Sequence, residues 1–232
     1  MENLLYKSGI ALHVIAGFLS LVSGMVAMSY GKKGGKVHNV SGIIFYWSMV
    51  VIFVTTLLFF ILNPTLLKYQ FFLTIGIVSF YPTWSGKRML KMKKGLLPTW
   101  YDITAAFLVG ISGLIMLVYG NVLLFKLSID SPLVYLFFVF GIVSILNSFG
   151  DLRFYLKFKE ELKMHWFFAH GGKMIGAYSA ALTAFCVNIV PRFLPENFPA
   201  LGNMILWTGP SFIFAIVSVK VLRKYRVKFK II

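Results

Sequence analysis

The chain has 232 residues, of which 59% are hydrophobic and 13% charged, against soluble averages of roughly half and a quarter. That much apolar surface excludes an ordinary water-soluble domain. The formal net charge of +16 suits a nucleic-acid binder only if the basic residues form one patch. Here they punctuate long apolar runs, so nucleic acid is set aside as a partner and lipid becomes the main solvent.

Taken in chain order, the apolar runs predict an all-α polytopic membrane helix bundle, one integral membrane domain over residues 1–232 with about seven transmembrane helices. The predicted spans are Ser8–Tyr30, Ser41–Leu62, Tyr69–Gly86, Tyr101–Gly120, Pro132–Gly150, His165–Val190 and Asn203–Leu222. Each approaches the roughly 20 residues that a helix needs to cross the hydrocarbon layer. The first run is read as a retained helix, because it is long for a signal core and has no cationic leader or clear small-residue cleavage site.

Lys and Arg alternate between connections. One side holds Lys32, Lys33, Lys36, Lys87, Arg88, Lys91, Lys93, Lys94, Arg153, Lys157, Lys159, Lys163 and the tail from Lys220 to Lys230. The other holds Lys7, Lys68, Lys126 and Arg192. The positive-inside rule then predicts the N-terminus outside and the C-terminus in the cytoplasm. The basic tail is expected to meet anionic lipid headgroups. Two stripes of small residues, Ala16, Ser20 and Gly24 in the first helix and Gly172, Gly176, Ala180 and Ala184 in the sixth, predict close packing at the bundle centre or in a homo-oligomer.

Ionisable groups within spans are costly in lipid and mark an interior or a cavity. Those here are His13, Asp102, Asp151, His165, His170 and Lys173, joined at the inner boundary by His38 and Arg88. All but His13 fall in the cytoplasmic part, which predicts a polar pocket open to the cytoplasm. His170 and Lys173 share a helix face, whereas His165 and His170 are roughly 140° apart and poor joint ligands. Asn147, Ser148 and Asp151 share a face of the fifth helix. Asp102 suits a helix N-terminus, but Asp151 sits at the negative end of its helix and needs a cation: Arg153, Arg88, Lys173 or a metal. His13 stands alone and is expected to hydrogen-bond a neighbouring helix.

His13 with Gly17, the run Gly31-Lys32-Lys33-Gly34-Gly35-Lys36 before His38, Ser85-Gly86-Lys87-Arg88, Asp102, Asp151 and the stretch His170–Phe185 form a combination over nearly the whole chain. It resembles bacterial multi-pass membrane proteins catalogued as domain of unknown function 2306. The resemblance implies a bacterial inner (cytoplasmic) membrane and supplies no reaction.

Three functions follow as expectations. The first is a metal or single-haem site, with His38 and His170 as cofactor ligands and His38, Asp102, Asp151 and His170 as metal ligands; imidazole and carboxylate suit zinc or iron, and two imidazoles a haem. His13, Arg88, Asn147, His165, Lys173 and Tyr178 are further pocket candidates. The second is a proton- or ion-coupled small-solute transporter using Asp102, Asp151, His170 and Lys173. The third is a structural or accessory membrane protein whose buried charges pair. No nucleophile elbow, paired-His zinc motif or dinucleotide fingerprint selects an enzyme class.

Overall fold

The structure, a computed structural model, describes residues 2–30, 32–93, 97–129, 132–156, 164–195 and 200–231. Of the basic connections, Lys94, Lys157, Lys159 and Lys163 lie outside these. Among the described residues the chain forms seven α-helices: α1 (Glu2–Ser29), α2 (Lys36–Leu62), α3 (Leu67–Met92), α4 (Trp100–Asn121), α5 (Pro132–Tyr155), α6 (His165–Ile189) and α7 (Ala200–Lys228). A π-helical turn, Val122–Lys126, extends α4, and a 3-10 turn, Val190–Phe193, follows α6. α1 begins six residues earlier than the apolar run suggests. α7 carries the helix through most of the basic tail, which is helical, not a loose anchor.

Six helices are long and apolar enough to cross a membrane; α3, at 26 residues, is long enough but falls short in hydropathy. Its place in the bundle explains why. α3 packs against α2, α4, α5 and α6 and buries Phe71, Thr74, Ser79, Tyr81, Thr83, Ser85 and Met89 among others. A helix screened from lipid by its neighbours has no need of an apolar surface all round. Its hydroxyls are satisfied locally, as where Thr83 Oγ1 donates to the Ser79 carbonyl at 2.9 Å. The outward faces of α1 and α4 instead present Leu12, Val14, Ile15, Phe18, Leu108, Leu114, Ile115 and Val118.

The two small-residue stripes have different fates. On α1, Ala16 and Ser20 are buried, and a Cβ built on Gly24 would collide with the ring of Tyr178 on α6, so this stripe does pack against another helix. On α6 the stripe is not at a tight helix contact: a Cβ on Gly176 would meet nothing within 4 Å. A close backbone approach lies between α4 and α5, where a Cβ on Gly113 would sit 2.7 Å from the Gly141 carbonyl oxygen.

α4 and α5 thus form a close hairpin fastened to the rest through α3. Among the described residues α5 does not pack closely on α6 or α7. α7 in turn packs on α6. This leaves a cleft with α5 on one side, α6 and α7 on the other and α3 as its floor.

Candidate functional site

The cleft encloses about 840 Å³. The whole α6 stripe, Gly172, Gly176, Ala180 and Ala184, lines it, which is why these small positions are not at a tight helix contact. From Phe168 to Ala184 the lining runs 16 residues along α6, about 24 Å at 1.5 Å per residue. Most of the roughly 30 Å hydrocarbon thickness is therefore covered.

The wall is mainly apolar, with Ile75, Val78, Leu136, Val139, Phe140 and Trp207 contributing. Its charged groups are Asp151 and Lys173, at the basic end. Lys173 Nζ donates to Asp151 Oδ2 at 2.6 Å and to Ser85 Oγ at 3.0 Å. Tyr81 Oη donates to the same Oδ2 at 2.6 Å. The pair thus joins α5 to α6 across the cleft, with Tyr81 and Ser85 of α3 beneath it. Both side chains are nearly buried, at 8% and 11% exposure, where a lone charge costs several kcal/mol. The cation that Asp151 needs at its helix terminus is Lys173, not Arg153 or Arg88.

Further along the wall come Ser179, Thr183, Thr208, Ser211 and Ser218. Thr183 Oγ1 is buried and has no hydrogen-bond partner among the described residues. Asn147 also lines the cleft, its amide donating to the Val143 carbonyl one turn back at 2.9 Å. Pro82, on the floor, has no N–H to give to the carbonyl of Val78, four residues earlier and also on the wall. Non-standard helical hydrogen bonding at membrane depth is tolerated where it borders protein or a cavity.

The second buried pair has another construction. Arg88 Nε and Nη2 grip Asp102 Oδ1 and Oδ2 at 2.7 and 2.6 Å. Asp102 Oδ2 also accepts from the Thr99 backbone N–H at 2.9 Å and its hydroxyl at 2.6 Å. Asp102, fully buried, is thus a helix-start residue that reaches back over the first turn of α4, locked by a two-pronged cation. It does not line the cleft.

The remaining candidates are dispersed. His13 Nδ1 bonds Thr55 Oγ1 on α2 at 2.8 Å, as expected of an isolated histidine. His165 stacks on Phe154, ring centres 4.0 Å apart. Tyr178 is buried between Gly24, Phe45 and Phe214, behind the cleft wall to which Phe214 contributes. His38 and His170 do come together: their ring centres are 6.5 Å apart. The expected quartet of His38, Asp102, Asp151 and His170 is not gathered, because each carboxylate is committed to its own cation. Among the described residues no three His, Cys, Asp or Glu side chains are placed to hold a metal ion together. Half-buried Cys186 is a free thiol.

Sequence reasoning passed over Tyr81 and Pro82, and met Ser85 and Thr183 only within the stretches that carry the resemblance, with no role assigned. Tyr81 and Ser85 fall one helical turn apart and share a face, a pattern visible along the sequence. What that face meets was not visible. No family model, no curated protein and no solved structure matches the chain.

Proposed function

We propose that this polytopic membrane protein moves a small amphiphilic solute along the α5–α6–α7 cleft, with the Asp151–Lys173 pair as the group that couples movement to a charge or a proton. The observation that carries the reading is the pair's position. It is an ionic link across the cleft between two helices that otherwise make few close contacts, and it lies at one end of a cavity that runs for most of the hydrocarbon thickness. A charged solute group competing for Lys173 or Asp151 would loosen that link, so occupancy and helix separation are coupled through one salt bridge. The apolar wall suits a hydrocarbon body, and the orphan hydroxyl of Thr183 offers a polar stop further along.

In this reading α3 is a seventh span screened by its neighbours. The basic end faces the cytoplasm of a bacterial inner membrane, as the asymmetry of Lys and Arg and the resemblance to domain of unknown function 2306 both support. The helical basic tail of α7 then rests against anionic lipid.

The test uses proteoliposomes on a solid-supported membrane, challenged with short-chain organic anions and amines. Wild-type protein should give transient currents with at least one class. Lys173→Met and Asp151→Asn should abolish them, and Gly176→Phe, which fills the cleft without touching the pair, should do the same. Currents unchanged by all three variants, or no current with either class, would sink the proposal.

A further inference from the structure

His38 and His170 lie outside the cleft lining, and their geometry carries a separate inference. Each ring uses Nδ1 to donate to a backbone carbonyl on another helix: His38 to Ala27 of α1 at 2.8 Å, and His170 to Gly86 of α3 at 2.9 Å. A carbonyl can only accept, so both neutral rings carry their proton on Nδ1 and present a bare lone pair at Nε2. This is the tie that fixes tautomer and orientation in metal-ligating histidines. Both residues are half-buried, so the pair is open to exchange with the basic end.

Separation and surroundings narrow the occupant. With metal–nitrogen bonds of about 2.0 Å, two imidazoles on one ion have ring centres about 5 Å apart at a tetrahedral angle and about 6.3 Å apart when collinear. The observed 6.5 Å lies at the collinear end, the geometry of an ion satisfied by two ligands. Lys33 Nζ donates to the same Ala27 carbonyl at 3.0 Å and also to Met28 O, placing a cation beside the pair and favouring a singly charged ion over a dication.

Met28 and Met174 pack against the adjoining Phe45, Met49, Ala177 and Tyr178 cluster. The methyl end of Met174 lies 3.0 Å from where a Cβ on Gly86 would stand, beside the carbonyl that holds His170. Thioethers select soft ions.

We infer that His38 and His170 bind a monovalent copper ion through their Nε2 atoms. The experiment titrates detergent-purified, reduced, full-length protein with Cu+ against a chromophoric Cu+ chelator, alongside His38→Asn, His170→Asn and His165→Asn. Asparagine keeps a donor near the Nδ1 position, and so the bond to Ala27 or Gly86, while removing Nε2. Wild type and His165→Asn should each take up one equivalent, and His38→Asn and His170→Asn should each lose at least tenfold in affinity while eluting as folded monodisperse protein. No uptake by wild type, equal affinity in all four proteins, or retention of Zn2+ when equimolar Cu+ is offered would each overturn the assignment. Proteoliposome currents form an independent readout, so failure here leaves the cleft proposal standing.

Discussion

The two buried ion pairs stand at the same end of the bundle, and their differences separate a staple from a movable contact. Arg88 and Asp102 are 14 residues apart, joined by two parallel bonds, and Asp102 is further held by Thr99 in the turn between α3 and α4. Both carboxylate oxygens of Asp102 are engaged, and Asp102 does not line the cleft. Lys173 and Asp151 are 22 residues apart on helices that make few close contacts, and a single carboxylate oxygen takes both Lys173 and Tyr81. The first pair completes a helix start; the second holds closed a gap that the packing leaves open. A fork with three supports resists rearrangement, whereas a point charge on a flexible stem can exchange partners.

The comparison can be broken by substitution. Arg88→Ala should have the largest effect, about 3–5 kcal/mol, because it strands a fully buried carboxylate; thermal unfolding in detergent, followed by size-exclusion recovery, measures it. Removing both members with Arg88→Met and Asp102→Leu should still leave a loss of about 1 kcal/mol, since Thr99 and the first turn of α4 lose their acceptor.

Lys173→Met alone should cost about 2–4 kcal/mol, and adding Asp151→Asn should restore stability to within about 1 kcal/mol of wild type. If the second double variant is as unstable as the single, the Asp151–Lys173 pair is a staple after all and the contrast fails.

Gly24→Ala should cost about 1–3 kcal/mol by forcing Tyr178 aside. Gly176→Ala, on the cleft wall, should stay within about 0.5 kcal/mol of wild type. Equal losses at both positions would mean that the α6 stripe is packed, not lining. Thr55→Val, which removes the partner of His13, should show the smallest measurable loss, about 0.5–1.5 kcal/mol in the same unfolding assay.

Much of the fold was legible because the solvent is lipid. A helix facing hydrocarbon must be apolar over its full length, so six of the seven helices announce themselves by composition. α3 was legible only as a short run, since its neighbours remove the need for an apolar surface. Asp151 could be recognised as needing a cation from its place at a helix C-terminus, but four partners fitted that description. The α6 stripe was read as a helix contact because small side chains serve close packing and cavity walls alike; only the position of α5 distinguishes the two. Tyr81 and Thr183 read as ordinary span residues until a partner or a cavity lies opposite.

By itself the sequence determined a membrane-suited helix set, its alternation of basic and non-basic ends, and the short roster of polar groups that must find partners in a nonpolar medium. Those are properties of each segment and the solvent it meets. Tertiary structure alone decided that Asp102 belongs to Arg88 and Asp151 to Lys173, that His38 and His170 meet with both Nδ1 atoms tied back, and that α5 stands off from α6 to leave a cleft. Pairing and separation depend on which helix faces cross, and periodicity along one strand of sequence carries no record of the face opposite.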